Sequence, residues 1–176
     1  QTLITEHTKL IEKGPGRISP FFVPMMISNI ASGTVAIKYH AQGPNIGIVT
    51  ACATSTNSIG EAYRAIKHGY ADVMLAGGSE AAITPLCFAG FISCQALSPA
   101  TEKDRASIPF DKERAGFTMG EGGAVVLLEE YEHAKARGAK IYAELAGYGC
   151  TNDAYHMTAP DPEATASARA VELAVR

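Results

Sequence analysis

Asn45-Ile46-Gly47-Ile48-Val49-Thr50-Ala51-Cys52-Ala53-Thr54-Ser55-Thr56-Asn57-Ser58-Ile59-Gly60 changes period in its middle. Up to Ala51 it is a short apolar run rich in Ile and Val, which suits a buried strand. Beyond that point Ile59, Ala62, Tyr63 and Ile66 recur at helical spacing. Cys52 therefore falls at a strand-to-helix junction. Downstream, Gly69 reads as a helix stop, 71–76 as a second buried strand ending in Gly77-Gly78, and 85–96 as an apolar helix. A glycine-rich segment, 116–123, leads into the apolar run 124–128. A short charged helix, 131–137, follows, closed by Gly138, and then a strand over 141–148. Upstream, 5–13 reads as the exposed end of a helix before the Gly14-Pro15-Gly16 turn. Ser28-Asn29 caps a buried helix that runs to Gly43-Pro44. Strand and helix alternate, so the fold class is α/β. Strands this uniformly apolar call for helices on both faces, that is, a layered core. No internal repeat interrupts the pattern.

Composition narrows the function classes. The chain has 176 residues, 47% apolar and 19% charged, with a formal net charge of -3. That balance gives no global attraction for nucleic acid or an anionic membrane, so an acidic partner would have to meet a local basic patch. Cys52, Cys87, Cys94 and Cys150 form no CxxC pair and have no histidine at zinc-finger spacing, so neither a metal site nor a disulfide framework is expected. No stretch approaches the roughly 20 apolar residues of a membrane-spanning helix. A reducing, cytoplasmic setting is expected. The first residue is Gln1, and the last, Arg176, lies inside an Ala/Val/Leu pattern with no stop signal, so both ends read as cut.

A thiol attacks only as thiolate, and a helix N-terminus favours that anion through unpaired N–H groups and the helix dipole. The same N–H groups can receive the oxyanion of acyl transfer, and small neighbours such as Ala51, Ala53 and Ser55 leave room for a thioester. An ordinary reading competes with this one, because a free cysteine between two alanines is commonly a small core residue.

The segment from Val49 to Gly60 resembles the active-site segment of β-ketoacyl-acyl-carrier-protein synthases. The stretches 14–24, 72–80, 96–98, 109–117 and 120–122 resemble the same family in the same order. The run 131–145 and Asp153-Ala154-Tyr155-His156-Met157-Thr158 resemble its bacterial elongating branch, synthase II. The resemblance implies a thiolase-like layered α-β-α-β-α fold, here only partly represented. Residues 1–140 would be the latter part of the N-terminal half and 141–176 the start of the C-terminal half. It implies Cys52 as nucleophile, with its own N–H in the oxyanion hole, in a decarboxylative condensation of an acyl-enzyme with malonyl-carrier protein. No cofactor is implied, since the substrates carry phosphopantetheine themselves. Acyl carrier protein and, for the whole enzyme, a second copy of the chain are the implied partners.

Other residues take roles only from that resemblance. Phe22 and Phe91 match positions lining the acyl pocket, although aromatics in apolar stretches are most often core. His156 matches a position beside the substrate tunnel; otherwise it is a histidine satisfied by Asp153 or by backbone. Thr158 matches a residue bonding the pantetheine arm, Arg17 a position that docks the carrier protein, and Lys13 lies near Arg17. The neighbouring basic position of the family is Gly16 here. The family's two decarboxylating histidines, its lysine and its gate loop match nothing in this sequence, so the isolated stretch is expected to be inactive and prone to aggregate. A polyketide ketosynthase, or a non-catalytic chain-length partner, is the alternative; the latter type lacks the cysteine. His7, His40, His68 and His133 read as structural or surface residues, and Cys87, Cys94 and Cys150 as inert thiols.

Overall fold

The computed structural model describes residues 1–176. In chain order it contains α1 (Thr2–Lys13), a 3-10 turn (Pro15–Arg17), α2 (Phe22–Met26), α3 (Ile30–Tyr39), a second 3-10 turn (Ala51–Ala53), α4 (Thr54–Lys67), β1 (Val73–Ala81), α5 (Pro85–Ser93), α6 (Lys103–Ala106), β2 (Glu121–Glu129), α7 (Tyr131–Ala136) and α8 (Thr165–Ala174). The class is α/β, as expected, and β1 and β2 pair in a two-stranded sheet. The chain folds as two compact units. One holds Gln1–Met26 with Ser79–Ala124, the other Ile27–Gly78 with Val125–Arg176.

In the first unit α1 ends where Gly14 takes φ 78, a left-handed turn that glycine enters without a Cβ clash, and its amide donates to the Leu10 carbonyl at 3.1 Å. The following 3-10 turn is tied back by Glu6, which is buried and accepts from Lys9 Nζ at 2.6 Å and from the Ser19 amide at 2.8 Å. Those two bonds, Lys9 first, hold the Glu6 carboxyl below the usual carboxylate range. α5 opens on Thr84, whose hydroxyl accepts from the Cys87 amide, with Pro85 at the first helical position. Gly116 lies so close to the backbone of 96–98 that a Cβ would come within 2.7 Å of the Leu97 carbonyl carbon. Gly120 and Gly122 of the same glycine-rich segment lie in open space. Arg105 bridges Asp111 at 3.3 Å and Glu113 at 2.6 Å.

In the second unit α4 is the best-organised element, stopped at Gly69 with φ 73. Buried Ala62, Ala76 and Ala134 mark where its face, β1 and α7 close against neighbours. α7 is capped by Glu130, which accepts from the His133 amide at 2.7 Å, and is held by Glu129, which takes both Arg137 and His133. Arg137 first, then His133, depress the Glu129 carboxyl to about 2. A depressed folded-state value means stabilisation that is fully present above the ordinary value of 4.5 and is lost as pH falls through about 2. Glu129→Gln is therefore expected to flatten the acid limb of a stability-pH profile between those values, with little change in its shape above pH 5. Chemical denaturation of the full-length protein at several pH values checks this; an unchanged acid limb would refute it.

Three sequence expectations differ from the structure. The runs 45–51 and 141–148 are not strands: no segment of the chain forms a ladder with them, and an extended run without cross-strand partners is not a strand, however apolar. α3 forms as expected after Asn29, but it buries no residue, and Ile37 is 78% exposed. It also ends before Gly43, at His40, which adopts the left-handed cap at φ 53. No helix is long and apolar enough to cross a membrane.

Candidate active site

Cys52 lies in the second 3-10 turn, immediately before α4, and is exposed to solvent. Within these residues the thiol is not packed as a small core side chain. The turn begins with Ala51 in the left-handed region at φ 50, a conformation an alanine adopts only when its surroundings hold it. The Ala53 amide donates to the Thr50 carbonyl at 3.0 Å, and the Thr50 amide donates to Thr54 Oγ1 at 2.8 Å. The N-cap residue of α4 is Ala53, which has no side chain able to cap. No side chain caps the helix, although the 3-10 turn takes its first amide, Thr54 N–H donating to the Ala51 carbonyl; the first turn carries no acidic residue, and Arg64 and Lys67 sit in the last turn, where they complement the dipole.

The aim of α4 is fixed from several sides within its unit. The Gly77 amide donates to Ser58 Oγ at 3.3 Å, and a Cβ on Gly78 would overlap Ser55 Oγ, so the two glycines that end the apolar part of β1 let the helix approach. Gly60 lies directly under the Tyr148 ring, which also stacks with Arg64 at 4.9 Å. Tyr63 donates to the Ala146 carbonyl at 3.2 Å and Asn57 Nδ2 to Cys150 Sγ at 3.4 Å. The end of the segment expected as a strand, with the residues that follow it, 146–150, instead serves as a saddle for α4. The Tyr148 hydroxyl oxygen is buried without a partner, and burial, with Cys150 beside it, pushes the phenol above its usual range.

His156 and Thr158 come together in the same unit, on the loop 151–160 that lines an open concavity of about 730 Å³. His156 Nδ1 accepts from the Thr158 amide at 3.2 Å and from the Ala159 amide at 3.1 Å. Two donors on Nδ1 leave the ring proton on Nε2, free to donate. Asp153, weighed as the partner of His156, takes the Asp161 amide instead, at 3.0 Å.

The remaining candidates belong to the other unit. Phe22 opens α2 and is half-buried; Phe91 lies in α5 and is 41% exposed. Lys13 ends α1 and Arg17 ends the 3-10 turn, both exposed, and the Glu6–Ser19 bond fixes the turn that carries Arg17. Glu6 escaped the sequence reading because its amide partner lies 13 residues away. Its spacing to Lys9 was the one visible signal. His133, read as a surface residue, pairs with Glu129 at 2.6 Å, a contact visible only as an i,i+4 spacing. No group of three or more His, Cys, Asp or Glu side chains is placed to hold a metal ion.

Residues 2–134 match the family model described as β-ketoacyl synthase, N-terminal domain. The chain belongs to the β-ketoacyl synthase family. It is similar to 3-oxoacyl-[acyl-carrier-protein] synthase 2 of a Synechocystis species, 53% identical over 100% of this chain and 42% of that one. Among solved structures it matches a type II polyketide synthase acyl-carrier protein in complex with its ketosynthase bound to the hexaketide, with TM-score 0.90 and 39% identity over 98% of this chain and 43% of that one. It also matches a β-ketoacyl synthase from Burkholderia phymatum, with TM-score 0.88 and 36% identity over 99% and 43%. The architecture is therefore that of the thiolase-like ketosynthase fold, partly represented: the chain spans about two fifths of the length of the curated relatives it matches. As a member of that family it carries the homology of condensing enzymes, and the segment around Cys52 falls within the matched domain.

Proposed function

We propose that the full-length protein is a 3-oxoacyl-acyl-carrier-protein synthase of the elongating type, with Cys52 as its nucleophile. One observation carries the reading: an exposed thiol at the uncapped N-terminus of a well-anchored helix. The sulfur attacks the carbonyl of an acyl thioester, the oxyanion is held by the Cys52 N–H, and the carrier's pantetheine thiol leaves. Malonyl-carrier protein then loses carbon dioxide, and its carbanion attacks the acyl-cysteine, expelling the Cys52 thiolate and giving a 3-oxoacyl chain two carbons longer. Donors for the enolate oxygen of the malonyl thioester are expected from two histidines outside this sequence, so residues 1–176 carry attack but not decarboxylation. No cofactor takes part, since both substrates bring their own phosphopantetheine.

His156, through its Nε2 proton, and Thr158 are proposed to meet the pantetheine arm, and Phe22 and Phe91 the acyl chain. The working form is proposed to be a cytoplasmic homodimer, with neither nucleic acid nor membrane as partner. The boundary between the two thiolase-like halves is proposed near residue 140, a placement supported by the family model, which ends at 134. Lys13 and Arg17 are proposed to dock the acidic carrier protein. Reversing both to Glu is expected to raise the KM for carrier protein about tenfold while kcat stays within about twofold, as loss of a rim contact does. Steady-state kinetics check this, and an unchanged KM would remove the docking role.

The test of the function is product analysis. The full-length protein, given acyl- and malonyl-carrier protein, is expected to release carbon dioxide and form the 3-oxoacyl product one extension longer; carbon dioxide without chain extension would contradict it. The 39% identity to a polyketide ketosynthase favours a second reading, that of repeated extension without reduction of the ketone. Accumulation of poly-β-ketone chains in the same assay would select it.

A further inference from the structure

Ala51 has a side chain yet sits at φ 50, a state that is costly for an L-residue and persists only when over-determined. Two hydrogen bonds close over it: Ala53 N–H to the Thr50 carbonyl at 3.0 Å, and Thr50 N–H to Thr54 Oγ1 at 2.8 Å. The first is short-range backbone geometry. The second is made by a side chain reaching back from the first turn of α4 to the residue that precedes the 3-10 turn. Thr50 is gripped again through its hydroxyl, which donates to Asn57 Oδ1 at 3.3 Å, one helical turn further on. Asn57 is in turn fixed by its 3.4 Å bond to Cys150. Thr54 thus spends its oxygen on a residue N-terminal to the turn and not on capping its own helix.

We infer that Thr54 is a positioning residue for Cys52: by accepting the Thr50 amide it holds the left-handed turn at Ala51 and so sets where the sulfur stands at the head of α4. The inference rests on the reading of Cys52 as nucleophile. Valine at this position keeps the shape and loses the acceptor, alanine loses both, and serine keeps the acceptor.

The experiment compares parent, Thr54→Val, Thr54→Ala and Thr54→Ser in the full-length protein. Iodoacetamide modifies the thiols at neutral pH, and peptide mass spectrometry resolves the rates at Cys52, Cys87 and Cys94. Thr54→Val and Thr54→Ala are expected to slow Cys52 by about fivefold or more, the worth of one hydrogen bond. Cys94 at the end of α5 should be unaffected in both, and Thr54→Ser should retain the parent rate. Cys52 rates in both variants within about twofold of the parent, or a serine variant as slow as the valine, would overturn the inference. Acceleration of half-buried Cys87 in both, reporting loss of fold, would overturn it too, because the bond would then serve folding and not aim. A parent whose Cys52 reacts no faster than Cys94 would instead sink the nucleophile reading itself, a result legible before any variant is made.

Discussion

Cys52→Ser in the full-length protein is expected to lower the condensation rate by roughly 10³-fold or more, because a serine hydroxyl without an adjacent base is a far weaker nucleophile than a thiolate. The substitution changes one exposed atom, so melting temperature and carrier-protein binding are expected to stay those of the parent. The contrast between lost turnover and intact fold is the informative part. A serine variant retaining more than about a tenth of parent turnover would place the acyl group elsewhere. A variant that had also lost its fold would show that Cys52 is packed in the whole protein, contrary to its exposure in this structure.

Gly147→Ala is expected to destabilise the protein by about 3 kcal/mol, at the upper end of what over-packing costs. A Cβ on Gly147 would overlap the Ala174 carbonyl oxygen, and one on Gly149 the Ala170 carbonyl oxygen. Both obstacles are backbone atoms of α8, one helical turn apart, so neither can rotate away; relief requires moving the helix as a body. Gly60 shows the same geometry against a side chain, the Tyr148 ring, so Gly60→Ala has a softer neighbour and a smaller expected cost. Thermal unfolding of the full-length protein is the check. A Gly147→Ala variant melting within about 1 °C of the parent would mean that α8 does not rest on the 147–149 backbone.

What could be read from the sequence followed locality. The helix after Cys52, the stops at Gly69 and Gly138 and the start of α5 at Pro85 are decided within a few residues, and all were legible. The position of Cys52 before a helix was legible for the same reason, and its neighbours carried the family resemblance that the matched domain bears out. Segments 45–51 and 141–148 misled because apolar periodicity reports what a strand would bury, while a strand exists only with a partner to pair with. α3 misled in the same way: its Ile and Val residues specify a face to be covered, and within these residues that face is only half-buried. The Glu6–Ser19 bond, the saddle of 146–150 under α4 and the Glu129–Arg137 pair depend on contacts that sequence spacing does not encode. His156 lay between the two cases: its partner could be named as backbone or Asp153, and only the fold chose the backbone.

The acyl-enzyme itself is the most direct test of the central claim. The full-length protein is incubated with acyl-carrier protein in the absence of malonyl donor, digested, and its peptides weighed. The account predicts the acyl mass on the peptide containing Cys52, released by hydroxylamine as a thioester and absent from peptides containing Cys87, Cys94 and Cys150. Stable acylation of any other residue, with Cys52 still free to react with iodoacetamide, would contradict it.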